Sequence, residues 1–300
     1  NTTGASNVAV GKNALSANTT ADNNVAVGLN ALLANTTGTA QTAVGWYALG
    51  ANTTGTLNTA IGGLALDANT TGSNNTSVGY HNLSTNTTAD NNTAVGYKAL
   101  LLNTTGAGNT SVGQGSMQSN TTGTQNVAVG ALALDANTTG GYSTAIGYGA
   151  LTAATTGGQN TAVGNNALGA VTTAEGNTAL GNNAGGSITT GTRNIAIGIE
   201  AMTTNNAGGI ENLAIGSYAM DTLTSGDKNI AIGQSSMSAI TTADRNVAVG
   251  VRTGYSITTG HDNCALGYYS LYTNQTGAYN TALGYYALNV VTAGNNTAIG

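Results

Sequence analysis

The chain of 300 residues contains 45 glycines, no proline, 6% charged residues and a net charge of −5. So little charge excludes disorder driven by self-repulsion, and six Lys and Arg residues are too few for a phosphate-tracking surface, so no nucleic-acid partner is expected. A single cysteine excludes an intrachain disulfide framework, and the sequence contains no run of 18 apolar residues that would predict a membrane span.

One short motif, Asn-Thr-Ala-Val-Gly or a close variant, recurs along the whole chain. It begins at Asn7 and returns every 17 residues as far as Asn194, and later copies run from Asn212 to Asn296 with one step of 18 and one of 16. These 18 copies predict a single continuous repeat array over residues 1–300. Because the chain starts without Met and stops at Gly300 partway through a repeat, we expect a fragment of a longer protein.

Each position of the repeat has its own residue type when the first residue of the motif is numbered one. Position three is Ala or Ser in every copy, position four is Val, Ile or Leu, and position five is Gly. Position nine is Leu or Met except at Gly185 and Gly254. In the first four copies, positions four and five are Val10, Val27, Val44, Ile61, Gly11, Gly28, Gly45 and Gly62.

The charges and the aromatic rings fall at five positions only. All 17 charged residues, both histidines, Trp46 and all 13 tyrosines lie at positions six, seven, ten, sixteen and seventeen, counting the inserted Glu211 with the last. Because a packed interior excludes unpaired charge, these positions predict solvent-facing corners of each repeat.

The repeat length and composition predict the fold. A unit of 17 residues is too short for a pair of helices, and its Gly, Thr, Val and Asn content favours short strands and turns. We predict an all-β parallel β-solenoid with one coil per repeat. Two strands per coil are expected, one over positions one to four and one near positions nine to fourteen.

Positions three and four predict self-association. Adjacent strand residues face opposite ways, and one face must be the coil's own core. Position three never carries Lys, Glu or Asn, so we expect its small residues, such as Ala60, Ala94 and Ala128, to line a contact with a second chain. A homotrimer or another bundle of closed symmetry is the expected assembly.

Position twelve predicts a ladder of side-chain amides. It is Asn in nine copies from Asn1 to Asn137, each of which begins an Asn-x-Ser/Thr sequon. Several later copies place Ala, Val, Ile or Leu there, and a position that accepts Ile does not point into water. We therefore expect buried stacked amides, with glycosylation in a secreted eukaryotic protein as the alternative. The first members after Asn1 are Asn18, Asn35, Asn52 and Asn69.

The motif resembles a known family. Asn-Thr-Ala-Val-Gly and Asn-Ile-Ala-Ile-Gly are similar to the Asn-Ser-Val-Ala-Ile-Gly motif of the YadA-like head of trimeric autotransporter adhesins. The resemblance implies a left-handed parallel β-roll, three chains side by side, and binding to host or matrix surfaces. The longer unit Asn-Thr-Ala-Val-Gly-x-x-Ala-Leu-x-x-Asn-Thr-Thr-Gly also resembles repeats of bacteriophage tail fibres and bacterial surface appendages.

No residue constellation indicates catalysis, a cofactor or a metal site. His81 and His261 are isolated corner residues, and Cys264 occupies position two, where it is expected to act as a small hydrophobe. We therefore expect no enzyme activity. A polysaccharide lyase or hydrolase on a β-helix would need a carboxylate or basic cluster that breaks the repeat.

The expected function is that of an extracellular fibre segment, on a cell surface or a virion. It would be a rigid spacer with weak, multivalent binding to a surface or a glycan through exposed corner rings. One alternative is ice binding through pairs such as Thr19 and Thr20, although such a pair offers only one outward column. The other is a purely structural filament or tail-fibre shaft with its binding tip elsewhere. The candidate binding residues are Tyr80, Tyr97, Tyr148, Tyr268, Tyr269, Tyr285 and Tyr286.

Overall fold

The computed structural model describes residues 2–204 and 208–300. Every regular element in these ranges is a strand of three residues, and each strand covers positions two to four of one repeat. The prediction of an all-β parallel solenoid with about 17 residues per coil is confirmed. The chain divides into two compact units, residues 1–146 and 147–300.

The first unit stacks its strands in one register. Each strand pairs in parallel with the next, so that Val25 lies beside Thr42 and Ala26 beside Ala43. Position therefore matches position from coil to coil. The strands are β1 Val8–Val10, β2 Val25–Val27, β3 Thr42–Val44, β4 Thr59–Ile61, β5 Thr76–Val78, β6 Thr93–Val95, β7 Thr110–Val112, β8 Val127–Val129 and β9 Thr144–Ile146.

The second unit keeps the same pairing through both irregular steps. Ile195 pairs with Leu213 across the 18-residue step, and Thr281 pairs with Thr297 across the 16-residue step, so the changes in length fall outside the strands. The strands are β10 Thr161–Val163, β11 Thr178–Leu180, β12 Ile195–Ile197, β13 Leu213–Ile215, β14 Ile230–Ile232, β15 Val247–Val249, β16 Cys264–Leu266, β17 Thr281–Leu283 and β18 Thr297–Ile299.

The prediction of a second strand near positions nine to fourteen is wrong. Positions seven and nine adopt left-handed backbone angles, with φ of 57° at Asn30 and 50° at Leu32, and an extended strand cannot include such residues. The coils are still hydrogen-bonded there: the Leu32 amide donates to the Ala48 carbonyl at 3.0 Å, and the Thr36 amide donates to that of Thr53 at 3.0 Å. Turns therefore replace the second strand without breaking the stack.

The prediction that position three faces a second chain is also wrong. Its residues are buried inside the coil from Ala26 to Ala282, including Ala60, Ala94 and Ala128 at 0% exposure. The reason is the thinness of the coil. Ser111 Oγ at position three lies 2.5 Å from Ser116 Oγ at position eight of the same coil. Only Ala or Ser fits between walls this close, and it is position four that faces outward.

The core consists of columns of identical positions. Small residues at positions three and eight face each other, and beside them stands a column of large side chains at position nine, such as Leu32, Leu49 and Met117, all at 0% exposure. Where position nine is Gly, position twelve is Ile: a Cβ at Gly254 would lie 2.9 Å from Ile257 Cδ1, and one at Gly185 would lie 3.0 Å from Ile188 Cδ1. The Ile side chain thus fills the space that the position-nine Leu occupies in other coils.

Position five requires glycine. At Gly11 the φ angle is 129°, and a Cβ would lie 2.5 Å from the carbonyl oxygen of Gly28 in the next coil. Both the backbone angle and the close approach of the neighbouring coil exclude a side chain. This glycine ends each strand and begins the corner at positions six and seven.

Candidate functional site

The outward side chains of the strands form an uncharged face in each unit, here called the outer strand face and defined by positions two and four. Position two is Thr, Val, Ile, Leu or Cys in every copy, and position four is always Val, Ile or Leu. Ile61 is 41% exposed and Leu180 is 49% exposed, whereas the alanines between the outward residues are fully buried. Neither position carries a charge in any of the 18 copies.

The outer strand face is most apolar in the second unit. In four successive coils both outward positions are branched aliphatics, and their side chains are half-buried or exposed. This aliphatic block consists of Ile195, Ile197, Leu213, Ile215, Ile230, Ile232, Val247 and Val249. Cys264, at position two of the following strand, is an exposed free thiol on the same face.

The predicted ladder at position twelve is present. Asn69 Nδ2 donates to Asn52 Oδ1 at 2.8 Å and to the Gly72 carbonyl at 2.9 Å, and Asn86 Nδ2 donates to Asn69 Oδ1 at 3.0 Å. Asn18, Asn35, Asn52 and Asn69 are all buried, and Asn1 lies outside the described residues. The burial and stacking predicted for these amides are confirmed, and they leave no room for a sugar at these sites.

A second amide ladder runs along position one, and the sequence interpretation missed it. The backbone amide of Asn75 donates to Asn58 Oδ1 at 2.9 Å, and Asn58 Nδ2 donates to the Gly72 carbonyl of its own coil at 2.8 Å. The available signal was Asn at 16 of the 18 motif starts. Both ladders are structural, because their amides bond within the stack; at position one, Asn24 Nδ2 is an exception and is buried without a partner.

The two threonines of each pair form two columns along the stack. One column bonds the next coil, and the other is exposed to solvent. At position thirteen the hydroxyl bonds the next coil, as Thr53 Oγ1 donates to the Thr70 carbonyl at 3.0 Å. At position fourteen residues such as Thr20 and Thr54 are exposed. The pair therefore presents a single outward hydroxyl column, as the sequence predicted.

The candidate tyrosines lie on the corners. Tyr80, Tyr97, Tyr148, Tyr268, Tyr285 and Tyr286 are exposed, and Tyr269 is half-buried. The structure brings four of the seven together, together with Tyr255, Tyr272 and Arg252, which sequence reasoning did not assign to a site. We call this group the tyrosine cluster: Arg252, Tyr255, Tyr268, Tyr269, Tyr272, Tyr285 and Tyr286.

The rings of the tyrosine cluster stack along the direction of the coils. Tyr268 lies over Tyr285 with ring centroids 5.5 Å apart, and Tyr269 lies over Tyr286 at 5.2 Å. The Arg252 guanidinium lies 5.6 Å from the Tyr269 ring and donates to its hydroxyl. Loss of solvent around the packed rings raises the pKa of Tyr268 and Tyr286. Because ring faces cover one another, the cluster presents mostly ring edges and hydroxyls.

The opposite corner of the second unit carries charge. Arg245 Nε donates to Asp262 Oδ1 at 2.7 Å, and His261 Nδ1 lies 2.8 Å from Asp262 Oδ2. The hydrogen bond from Arg245 and then that with His261 hold the pKa of Asp262 well below its usual range. His81 and His261 both lie on corners, and neither belongs to a potential metal-binding group within the described residues.

The part of the surface that the structure describes carries small clefts of about 200 to 290 Å³. One such cleft of about 200 Å³ is lined by Gln159, Glu175, Gly176, Thr192 and Arg193, and ligand pockets usually start near 300 Å³. Over residues 2–204 and 208–300, no helix has the length and apolar character needed to cross a membrane.

No protein-family model matches the chain, and a comparison with curated proteins finds no significant match. The resemblance to YadA-like heads and to tail-fibre repeats therefore remains a hypothesis drawn from the motif. The outer strand face and the tyrosine cluster are the two exposed surfaces on which a function of the chain can be based.

Proposed function

We propose that this chain is a structural segment of an extracellular fibre, a spacer that associates with further copies of itself through the outer strand face. The observation that carries the proposal is the exposure of an uncharged aliphatic at position four, as at Ile61 and Leu180, where every copy of the repeat has Val, Ile or Leu. A surface that only faced water would accept Lys, Glu or Asn in some of 18 copies.

The size of the outer strand face supports this role. Nine strands about 4.8 Å apart and three residues wide give each unit an outer strand face of about 400 Å², on which every position-four residue is aliphatic. The largest exposed apolar patch on a typical monomer covers about 300–600 Å² and is often functional, and a face of this size falls within that range. A second copy of the chain is the partner that matches this face in both length and spacing, because it has the same repeat.

The test is the molar mass in solution of the parent chain and of two variants in β13. Ile215→Lys changes an outward residue and should lower the mass to that of a monomer while circular dichroism keeps its β signal. Ala214→Lys places a charge inside the coil and should unfold the chain. A parent chain that is monomeric at every concentration would refute self-association.

The tyrosine cluster favours a second role, weak adhesion to a surface or a glycan. Its hydroxyls and ring edges stand at the regular spacing of the coils, and Tyr285 is 69% exposed. Tyrosines form adaptable contacts at low entropy cost, and several chains in one fibre would add weak contacts by avidity. The bare spacer, with any binding tip elsewhere, is the competing role.

Binding of the assembled parent to cells and to a glycan panel separates these two roles. Tyr268→Ser with Tyr285→Ser should abolish binding, whereas Tyr142→Ser, which changes an exposed ring outside the cluster, should leave binding intact. If the parent binds nothing across the panel, the spacer role alone stands.

A further inference from the structure

The three arginines of the chain have different partners. Arg193 Nη1 lies 3.2 Å from Glu211 Oε1, and Arg245 Nε lies 2.7 Å from Asp262 Oδ1. Arg252 belongs to none of the four ion pairs found over residues 2–204 and 208–300. It lies exposed in the tyrosine cluster, so its charge has no carboxylate partner in the described part of its own chain.

Arg245 shows how an exposed guanidinium on this solenoid binds a carboxylate. Its Nε donates to Asp262 Oδ1 at 2.7 Å, and its Nη2 donates to Asp262 Oδ2 at 2.9 Å. These two bonds use one edge of the planar guanidinium, which is the geometry in which arginine binds carboxylates most strongly. Asp262 follows Arg245 by one 17-residue coil, and the residue that follows Arg252 by one coil is Tyr269.

The same edge of Arg252 is free. Arg252 Nη1 donates to the hydroxyl of Tyr269. Its Nε and Nη2, the atoms with which Arg245 binds its carboxylate, have no hydrogen-bond partner among the residues that the structure describes. The hydrogen bond to Tyr269 therefore fixes one end of the guanidinium and leaves its two-bond edge open to solvent.

Two tyrosine rings hold this guanidinium in place. Its central carbon lies 5.6 Å from the ring centroid of Tyr269 and 6.0 Å from that of Tyr255. Tyr255 stacks on Tyr272, and Tyr269 stacks on Tyr286, both with ring centroids 5.2 Å apart. Aromatic rings attract a cation without neutralising it, and a side chain held in advance loses less entropy when it binds a ligand. Arg252 is thus positioned while its charge stays open to a partner.

No carboxylate of the corner competes for Arg252. Positions six, seven and ten of the three coils that begin at Asn246, Asn263 and Asn280 hold one arginine, six tyrosines, one valine and one asparagine. The preceding acidic residue at one of these positions is Asp221, two coils before Tyr255, and it accepts a hydrogen bond from Ser238 at 2.6 Å. The corner is therefore locally positive on a chain whose net charge is −5.

The tyrosine hydroxyls beside Arg252 suit the hydroxyls of a sugar. The stacked rings cover one another, so the cluster binds through hydroxyls and ring edges more than through open ring faces. Loss of solvent raises the pKa of Tyr268 and Tyr286, so these phenols stay neutral and can both donate and accept a hydrogen bond. A sugar that also carries a carboxylate would use the open edge of the arginine.

We propose that the tyrosine cluster binds glycans that carry a carboxylate, which the Nε and Nη2 edge of Arg252 holds while the tyrosine hydroxyls bond the adjacent sugar hydroxyls. The inference rests on the adhesive role proposed above for this cluster, and it narrows the ligand to sugar acids. A densely sulfated chain fits less well, because the net charge of −5 repels a polyanion.

Binding of matched glycans tests the requirement for charge. The parent chain is measured against sialyllactose and trigalacturonate, each beside its methyl ester, within the wider glycan panel. The ester keeps every sugar hydroxyl and removes the charge. The parent should bind the acid about tenfold more tightly than the ester in at least one pair, because two charge-assisted hydrogen bonds are lost. Equal binding of acid and ester in both pairs would overturn the proposal.

Two arginine variants with the same change in net charge locate the site. Arg252→Gln should remove the preference for the acid, whereas Arg245→Gln should retain it, because that guanidinium is already bound to Asp262. Arg252→Lys keeps the charge but has no planar two-bond edge, so it should restore only part of the preference. Both arginines are exposed, and circular dichroism should match the parent in all three variants.

The outcomes distinguish this inference from the adhesive role. If Arg245→Gln lowers acid binding as much as Arg252→Gln does, the effect comes from net charge and the proposed site is wrong. If Tyr268→Ser with Tyr285→Ser abolishes binding while Arg252→Gln has no effect, the cluster is adhesive without selecting acids. If the parent binds no glycan of the panel, the adhesive role and this inference both fall.

Discussion

Buried amides are the residues on which the stacking of coils in the first unit depends. Within the ladder, a position-twelve Asn bonds the coil on either side and also caps its own turn through the carbonyl three residues later, as Asn52 does with Asn35, Asn69 and Gly55. A buried amide left without partners is costly, so each ladder stabilises only while it is continuous.

Replacing one amide in the middle of the ladder should therefore be expensive. Asn69→Ala leaves Asn52 Oδ1, the Gly72 carbonyl and Asn86 Nδ2 each short of a bond, and we expect a loss of about 2–4 kcal/mol in the free energy of unfolding. Thr71→Ala, at the exposed position fourteen, should change it by less than about 0.5 kcal/mol. Urea denaturation measures both, and equal effects would contradict the role of the ladder.

Two adjacent glycines test the backbone requirement at position five. Gly62 has φ of 133° and faces the backbone of the next coil, whereas a Cβ on Gly63 would meet ring atoms of Tyr80 and Trp46, the nearest being Tyr80 Cδ2 at 3.4 Å. Gly62→Ala should cost about 3 kcal/mol or more, because it combines a disfavoured backbone angle with a clash against backbone. Gly63→Ala should lie within about 1 kcal/mol of the parent. Similar melting temperatures for the two variants would show that position five is not restricted by geometry.

At the scale of the element, each coil is a short strand followed by a series of left-handed turns. Positions seven, nine and seventeen adopt positive φ in coil after coil, as at Asn30, Leu32 and Asn23. Leucine is unusual in this conformation, and its burial at position nine offsets the backbone cost. The turn that replaces the expected second strand is therefore stabilised by packing.

Positions nine and twelve share one space inside the coil, so that Gly with Ile can replace Leu with Asn, and this provides a prediction at the scale of the element. Gly254→Leu should destabilise the chain by about 1–3 kcal/mol, because its Cβ would already lie 2.9 Å from Ile257 Cδ1. Adding Ile257→Asn recreates the Leu and Asn pair of the neighbouring coil, Leu271 with Asn274, and should recover more than half of that loss. Additive losses in a double-mutant cycle would contradict the coupling.

Most of the fold could be predicted from the periodicity of the sequence. The periodicity could not decide which side of each strand faces the inside of the coil. The 17-residue period, the corner positions and the buried Asn52 and Asn69 followed from residue type alone. Only a few residue types occur at position three and at position four. The small residues at position three are consistent with a close contact either inside the coil or on its outside. The distance across the coil, seen at Ser111 and Ser116, decides that position three is inside. Stacked tyrosines likewise depend on coil spacing, which a sequence does not display.

At the scale of the molecule, the repeat produces two kinds of surface with different chemistry. The outer strand face is uncharged and carries an aliphatic residue at position four of every coil, and the corners carry the charges and rings. In the proposed fibre, further copies would cover the outer strand face and leave the corners exposed to the surroundings.

The reactivity of Cys264 tests this account most directly, because it is the single cysteine of the chain and lies exposed on the outer strand face. Its rate of reaction with a maleimide should be measured over a range of protein concentrations and compared with that in the urea-unfolded chain. Self-association predicts a rate that falls as the concentration rises and that recovers in Ile215→Lys. A thiol that reacts as fast as in the unfolded chain at every concentration would contradict the account.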